Sequence, residues 1–158
     1  MKSGRFYLDY IGHWLTANTR HGTHSPFVYR LVEEVLYAPA RRAEPRDKVQ
    51  RLVARLVADY GVSGVYTPGT SPVPDRLDFV LLNGQDAHCT EAALKTLWPR
   101  FHAQSVLVIT GIYQTAAMKQ LWQTVRALPE VTVTIDLFRV GLVFFHAGQA
   151  REDFKIRL

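Results

Sequence analysis

His21 and His24 stand three residues apart beside a turn, a spacing at which two imidazoles can share a metal ion. No Cys, Asp or Glu accompanies them at ligand spacing, so they read as residues that order a loop or cap a helix. His88 and Cys89 are neighbours, but adjacency along a chain is not a nucleophile–base dyad, and no oxyanion motif goes with them. The turn Pro68-Gly69-Thr70-Ser71 has one glycine and no lysine, which argues against a phosphate loop. The remaining concentration of chemistry is basic. Arg41, Arg42, Arg46, Lys48, Arg51 and Arg55 fall within fifteen residues of a chain whose formal charge is +5. Such clusters bind nucleic acid or anionic partners. No aromatic platform or binding motif accompanies this one in sequence, and the plainer reading is a solvated helix face with its lead-in loop.

The elements that must position these residues follow from periodicity. Phe6, Tyr10, Ile11, Trp14 and Leu15 recur at helical spacing and predict an amphipathic helix over 5–18. Ser25 before Pro26 is a helix start, a capping hydroxyl followed by a residue with no N–H to satisfy. The stripe Phe27 to Leu36 then predicts a helix over 25–38, and the Pro- and Arg-rich stretch 39–46 reads as a linker. Val49, Leu52, Val53, Leu56, Val57 and Tyr60 predict a third helix from about Pro45 to Tyr60, stopped at Gly61. Beyond Gly61 the pattern changes to strands near 62–67, 77–82, 105–109, 131–135 and 142–145. Helices marked by Ala93 to Phe101 and by Met118 to Leu128 intervene. Alternation of strand and helix implies a parallel, doubly covered sheet, and the last two strands, with no helix between them, pair antiparallel. Trp14, Trp98 and Trp122 fall on apolar stripes and are expected in the core or an interface. With 158 residues, 47% of them hydrophobic, the chain is expected to form one domain, a helical extension over 1–44 leading into an α/β core over 45–158. The single cysteine fits a reducing cytoplasm, Asp9 and His13 interrupt any signal-peptide core, and no apolar run is long enough to span a bilayer.

Several segments resemble one family. Asp78-Phe79-Val80-Leu81-Leu82-Asn83-Gly84, with His88 following, looks like the fourth strand of class I S-adenosylmethionine-dependent methyltransferases. Ser105 to Ile112 looks like their fifth strand. Val131 to Phe145 is similar to the closing hairpin of a bacterial, catechol-O-methyltransferase-like branch, which also carries an H-S-P-F-V segment matched by His24 to Val28. The resemblance implies a truncated Rossmann-like α/β fold of about five strands in the order 1-4-5-7-6, the last strand antiparallel, with helices on both faces.

Two departures bear on function. The family places two further strand–helix units, roughly 60 residues, between its first glycine turn and its fourth strand, whereas here the matching strand begins at Leu77, only six residues after Ser71. The resemblance therefore implies that most of the cofactor floor is missing, Thr67 stands where the family has an acid, and Gly69, Thr70, Ser71, Asn83 and Gly84 are expected to be vestiges of a cofactor site. The positions matching the family's divalent-cation ligands are Asn83, Thr110 and Gly111, none a carboxylate, and Asp86 lies in the following loop. The resemblance thus implies a non-catalytic relic with no cofactor, no metal and no catalytic residue, acting as an interaction or oligomerising module. An active enzyme with an atypical or partner-completed S-adenosylmethionine site, and a basic nucleic-acid- or anion-binding adaptor, are the alternatives. Loss of two units should expose the edge at 62–67, so a homodimer through that edge or through the N-terminal helices is expected, unless those helices fold back over the gap.

Overall fold

The computed structural model describes residues 2–17, 25–70 and 72–158. Ser71, His21 and His24 lie outside the described residues. The chain forms α1 (Gly4–Thr16), α2 (Pro26–Leu31) running into a π-turn at Val32–Leu36, and α3 (Lys48–Tyr60). After these come β1 (Phe79–Asn83), α4 (Ala87–Leu97), β2 (Val106–Thr110) and α5 (Ala116–Arg126). The hairpin of β3 (Val133–Asp136) and β4 (Val140–Phe144), then β5 (Glu152–Lys155), complete the sheet. Helix starts are legible where a side chain caps: Asp47 accepts from the Gln50 N–H, Asp86 from Cys89 and Thr115 from Met118. Ser25 holds the predicted cap position before Pro26, yet its hydroxyl makes no capping bond.

The sheet is open and mixed, in the order β1-β2-β4-β3-β5. β1 and β2 run parallel, Phe79 opposite Val106, while β4 is antiparallel to both β2 and β3. Two expectations need correction. The strand at 62–67 shrinks to one parallel bridge, Tyr66 to Val80, because Pro68 and the Gly69 turn end it at once. It does lie beside β1, where the order 1-4-5-7-6 puts it. The fifth full strand is instead β5, which pairs parallel with β3 from Val133–Glu152 to Asp136–Lys155 and covers the edge that order leaves open. Its run Glu152-Asp153-Phe154-Lys155 is polar enough to hide from a search for apolar strands.

Period-two alternation sends side chains to both faces. Phe79, Val106, Val108, Leu142 and Phe144 meet Val28, Leu31, Val32, Leu52 and Leu56 from α2, the π-turn and α3. Val80, Leu82, Leu107, Ile109 and Val143 meet Leu94, Leu97, Met118, Trp122 and Val125 from α4 and α5. The N-terminal part therefore divides its work. α2 and α3, tied by paired hydrogen bonds from Arg30 to Asp59 at 2.8 and 3.0 Å, cover one sheet face. α1 sits at the end of the hairpin.

The basic cluster is likewise split. Arg55 is an internal clip, donating to Glu44 at 2.7 and 2.8 Å and to the Val35 and Ala38 carbonyls at 2.8 Å. Hydrogen bonding to Arg55 holds the Glu44 carboxyl down at about 2. Arg51 donates to the Pro45 carbonyl, so these two arginines shape the lead-in loop rather than lining a solvated face.

Candidate functional site

Two places at the ends of the strands compete as sites. At the first, β1 ends in Asn83 and Gly84, beside the turn at Gly69 and Thr70. Gly84 is held by its N–H to the Thr110 carbonyl at 3.1 Å. A Cβ at Gly84 would stand 2.0 Å from that carbonyl oxygen and 2.6 Å from Met118 Cε. The ends of β1 and β2 are packed onto each other, with no gap for a ligand between them. Asn83 is exposed, and the Thr67 and Thr70 hydroxyls, 3.4 Å apart, are exposed as well. The structure thus brings Gly69, Thr70, Asn83 and Gly84 to one end of the sheet, but into a packed strand end and an open turn rather than a pocket. Among the described residues no three of His, Cys, Asp and Glu converge as a metal cluster. Cys89 is exposed, and its hydrogen bond with Asp86 and that charge raise its pKa, the opposite of an activated nucleophile.

The second place is the tip of the β3–β4 hairpin, and Asp136 organises it. This carboxylate is fully buried. Its Oδ2 accepts from the Tyr113 hydroxyl at 2.8 Å and the Trp122 indole at 3.1 Å, and its Oδ1 accepts from the Phe138 N–H at 2.9 Å. His13 Nε2 lies 3.1 Å from Oδ1 and 3.0 Å from the Asp136 carbonyl oxygen. Both are acceptors, so the ring carries its proton on Nε2. Burial pushes the Asp136 carboxyl up, and the bonds from His13, Phe138 and Tyr113 outweigh it, leaving the group below its ordinary range. Burial, followed by the Asp136 charge, raises the Tyr113 phenol. Both carboxylate oxygens, the Tyr113 hydroxyl, the Trp122 indole and His13 Nε2 are all partnered within the cluster, which makes it a clip. It fastens α1, α5 and the loop after β2 to one turn.

That turn is strained. Phe138 has φ 67°, a conformation bulky residues avoid, and the Arg139 N–H reaches back to the Leu137 carbonyl at 2.8 Å. Its ring is gripped by Tyr113, stacked at 4.9 Å, and by Phe6, Tyr10 and His13 at 5.0, 5.1 and 5.5 Å. Around the turn lie two adjoining cavities of about 530 and 550 Å³ that share Lys2, Phe6, Val49, Phe138 and Arg139. Neither is lined by Gly69, Thr70, Asn83 or Gly84.

No family model, curated protein or solved structure matches the chain.

Sequence reasoning missed this second place. Asp136 sits inside an apolar run, where a lone acid that is not on a solvated face must find donors, and that was the available signal. The docking of α1 also divides its apolar residues in a way a single stripe does not foretell. Phe6 and His13 face inward, whereas Trp14, expected in a core or interface, is half exposed. Its neighbours Tyr7, Leu8, Tyr10, Ile11 and Leu15 are exposed too.

Proposed function

We propose that this chain is a non-catalytic, degenerate methyltransferase-like module that works by association, first with a second copy of itself. The open face of α1 carries the reading: six of the eight exposed large hydrophobic residues among those described belong to this one helix. Leu8 and Leu15, 72% and 67% exposed, lie seven residues apart with Ile11 between them, the spacing of a helix that packs on another helix. The helix's one acid, Asp9, is turned inward between Arg5 and Lys119, so no charge stands in the stripe. Six side chains of roughly 150–200 Å² each, half or more exposed, offer roughly 600 Å² per copy, near the ~800 Å² each partner gives to a standard interface. The edge at 62–67 has less to offer, because Val62 and Val65 pack inward against the α3 side of the core. That Gly69, Thr70, Asn83 and Gly84 line neither large cavity favours a relic over an enzyme.

Light scattering at micromolar concentration is the test. The expected mass is twice the 18.0 kDa of one chain, reduced to one by Leu8→Glu with Ile11→Glu. A single-chain mass throughout would refute self-association. Calorimetry with S-adenosylmethionine should give nothing tighter than about 1 mM, and micromolar affinity would overturn the non-catalytic reading.

A further inference from the structure

The aromatic platform that the basic cluster lacks in sequence is supplied by the fold. On the wheel of α1, Tyr7, Tyr10 and Trp14 occupy the sector between the inward Phe6 and His13 and the outward Leu8, Ile11 and Leu15. This aromatic sector lines the 530 Å³ cavity, and the outward aliphatic one does not. The same wall carries Lys2, Lys48, Arg139 and Arg157, and no Asp or Glu side chain lines either large cavity. Lys2, Lys48 and Arg139 make no ion pair with a described residue, and Lys2 lies over the Phe6 ring at 4.2 Å. Arg157 donates to the Trp14 carbonyl at 2.9 Å, with its guanidinium over the indole at 4.3 Å, which braces one face of that ring. A third cavity of about 200 Å³ continues from Lys48 to Arg51. The three hollows join through shared residues into one track with bases along it and aromatic rings on one bank.

A linear polyanion with planar groups fits such a track, because phosphates seek unpaired cations and any base can stack on an aromatic face. We propose that this track binds single-stranded nucleic acid, with a base against Trp14 and Tyr10 and successive phosphates at Arg139, Lys2, Arg157 and Lys48. It shares Tyr7, Tyr10 and Trp14 with the rim of the self-association surface above, whose centre is the outward sector of Leu8, Ile11 and Leu15.

Fluorescence titration of the full chain with an oligothymidylate of about ten nucleotides tests it. The expected results are quenching of tryptophan emission and a log–log salt slope of about −3 for four phosphates, so that affinity falls about fiftyfold between roughly 50 and 200 mM salt. Trp14→Ala should abolish most of the quenching and weaken binding roughly tenfold, and Lys2→Glu with Arg139→Glu should flatten the salt slope by about 1–2 units. All three positions are exposed, and a circular-dichroism melt verifies that each variant folds. Inorganic polyphosphate binding as tightly as the oligothymidylate would overturn the base contact, and thymidine monophosphate binding as tightly would overturn the track. Binding that ignores both sets of substitutions would remove the proposal altogether, whatever the oligomeric state turns out to be.

Discussion

Two places at the same end of the sheet, separated by β2, carry the molecule's distinguishing features and behave in opposite ways. At the β1 end, the residues that resemble a family's cofactor strand are either exposed, like Asn83, or packed to contact, like Gly84 against the Thr110 carbonyl. At the hairpin end, a segment whose sequence shows only a strand pair holds a buried carboxylate and a strained phenylalanine beside the large cavities. Motif likeness and chemical content have come apart. A strand motif persists where its side chains pack, since Leu82 and Ile109 must fill the core whether or not a ligand binds beyond them. A buried acid persists only where donors surround it.

The sharpest way to break this comparison is to remove the acid. Asp136→Ala leaves the Tyr113 hydroxyl, the Trp122 indole and the Phe138 N–H without their acceptor in a buried setting, and leaves His13 only the backbone carbonyl. The expected loss is about 3–5 kcal/mol in urea unfolding, and the fastening of α1 goes with it. The pH dependence has a definite sign. A carboxyl held below its unfolded value stabilises the fold above the ordinary carboxylate range, and that contribution disappears as pH falls through the folded pKa. The wild type should therefore lose stability below about pH 4, more steeply than Asp136→Asn. A loss under about 1 kcal/mol for Asp136→Ala would mean the clip is decoration.

Next comes the β1 end. Gly84→Ala forces a methyl to 2.0 Å from a backbone oxygen, which can be relieved only by parting β1 from β2. A cost of about 2–3 kcal/mol is expected from thermal or urea unfolding. If the variant is nearly as stable as the wild type, those strand ends open readily, and the case against a ligand there weakens.

Much of the fold is legible in the sequence because apolar period sets it: the five helices, the buried strands and the antiparallel hairpin all follow from spacing. What is hidden has physical causes. β5 is polar and short, and β3 lends it a partner that its own composition does not advertise. The segment at 62–67 looks like a strand from its valines, but Pro68 and Gly69 limit it to the Tyr66 bridge, a tertiary outcome. Arg55 looks like a surface base and is instead held by Glu44 and three carbonyls from the segment before α3. Of the candidate site, only the β1 end was visible, because a resemblance points to residues by position. The hairpin end joins His13, Tyr113, Trp122 and Asp136, far apart along the chain, and no spacing rule connects them.

The smallest effects are expected at the turn beside the β1 end, and they separate a backbone requirement from a ligand requirement. Gly69 has φ 95°, a region closed to most L-residues, while its Cβ position meets nothing within 4 Å. Gly69→Ala should thus cost about 1 kcal/mol from backbone conformation alone, without any steric collision. Asn83→Ala removes an exposed side chain and should stay within about 0.5 kcal/mol. Thermal melts of both variants with and without millimolar S-adenosylmethionine make the distinction. A vestigial turn gives the same small shifts in both conditions. A midpoint that rises with S-adenosylmethionine in the wild type, and no longer rises in Gly69→Ala or Asn83→Ala, would show that these residues still hold a ligand, because binding to the folded state alone raises the midpoint.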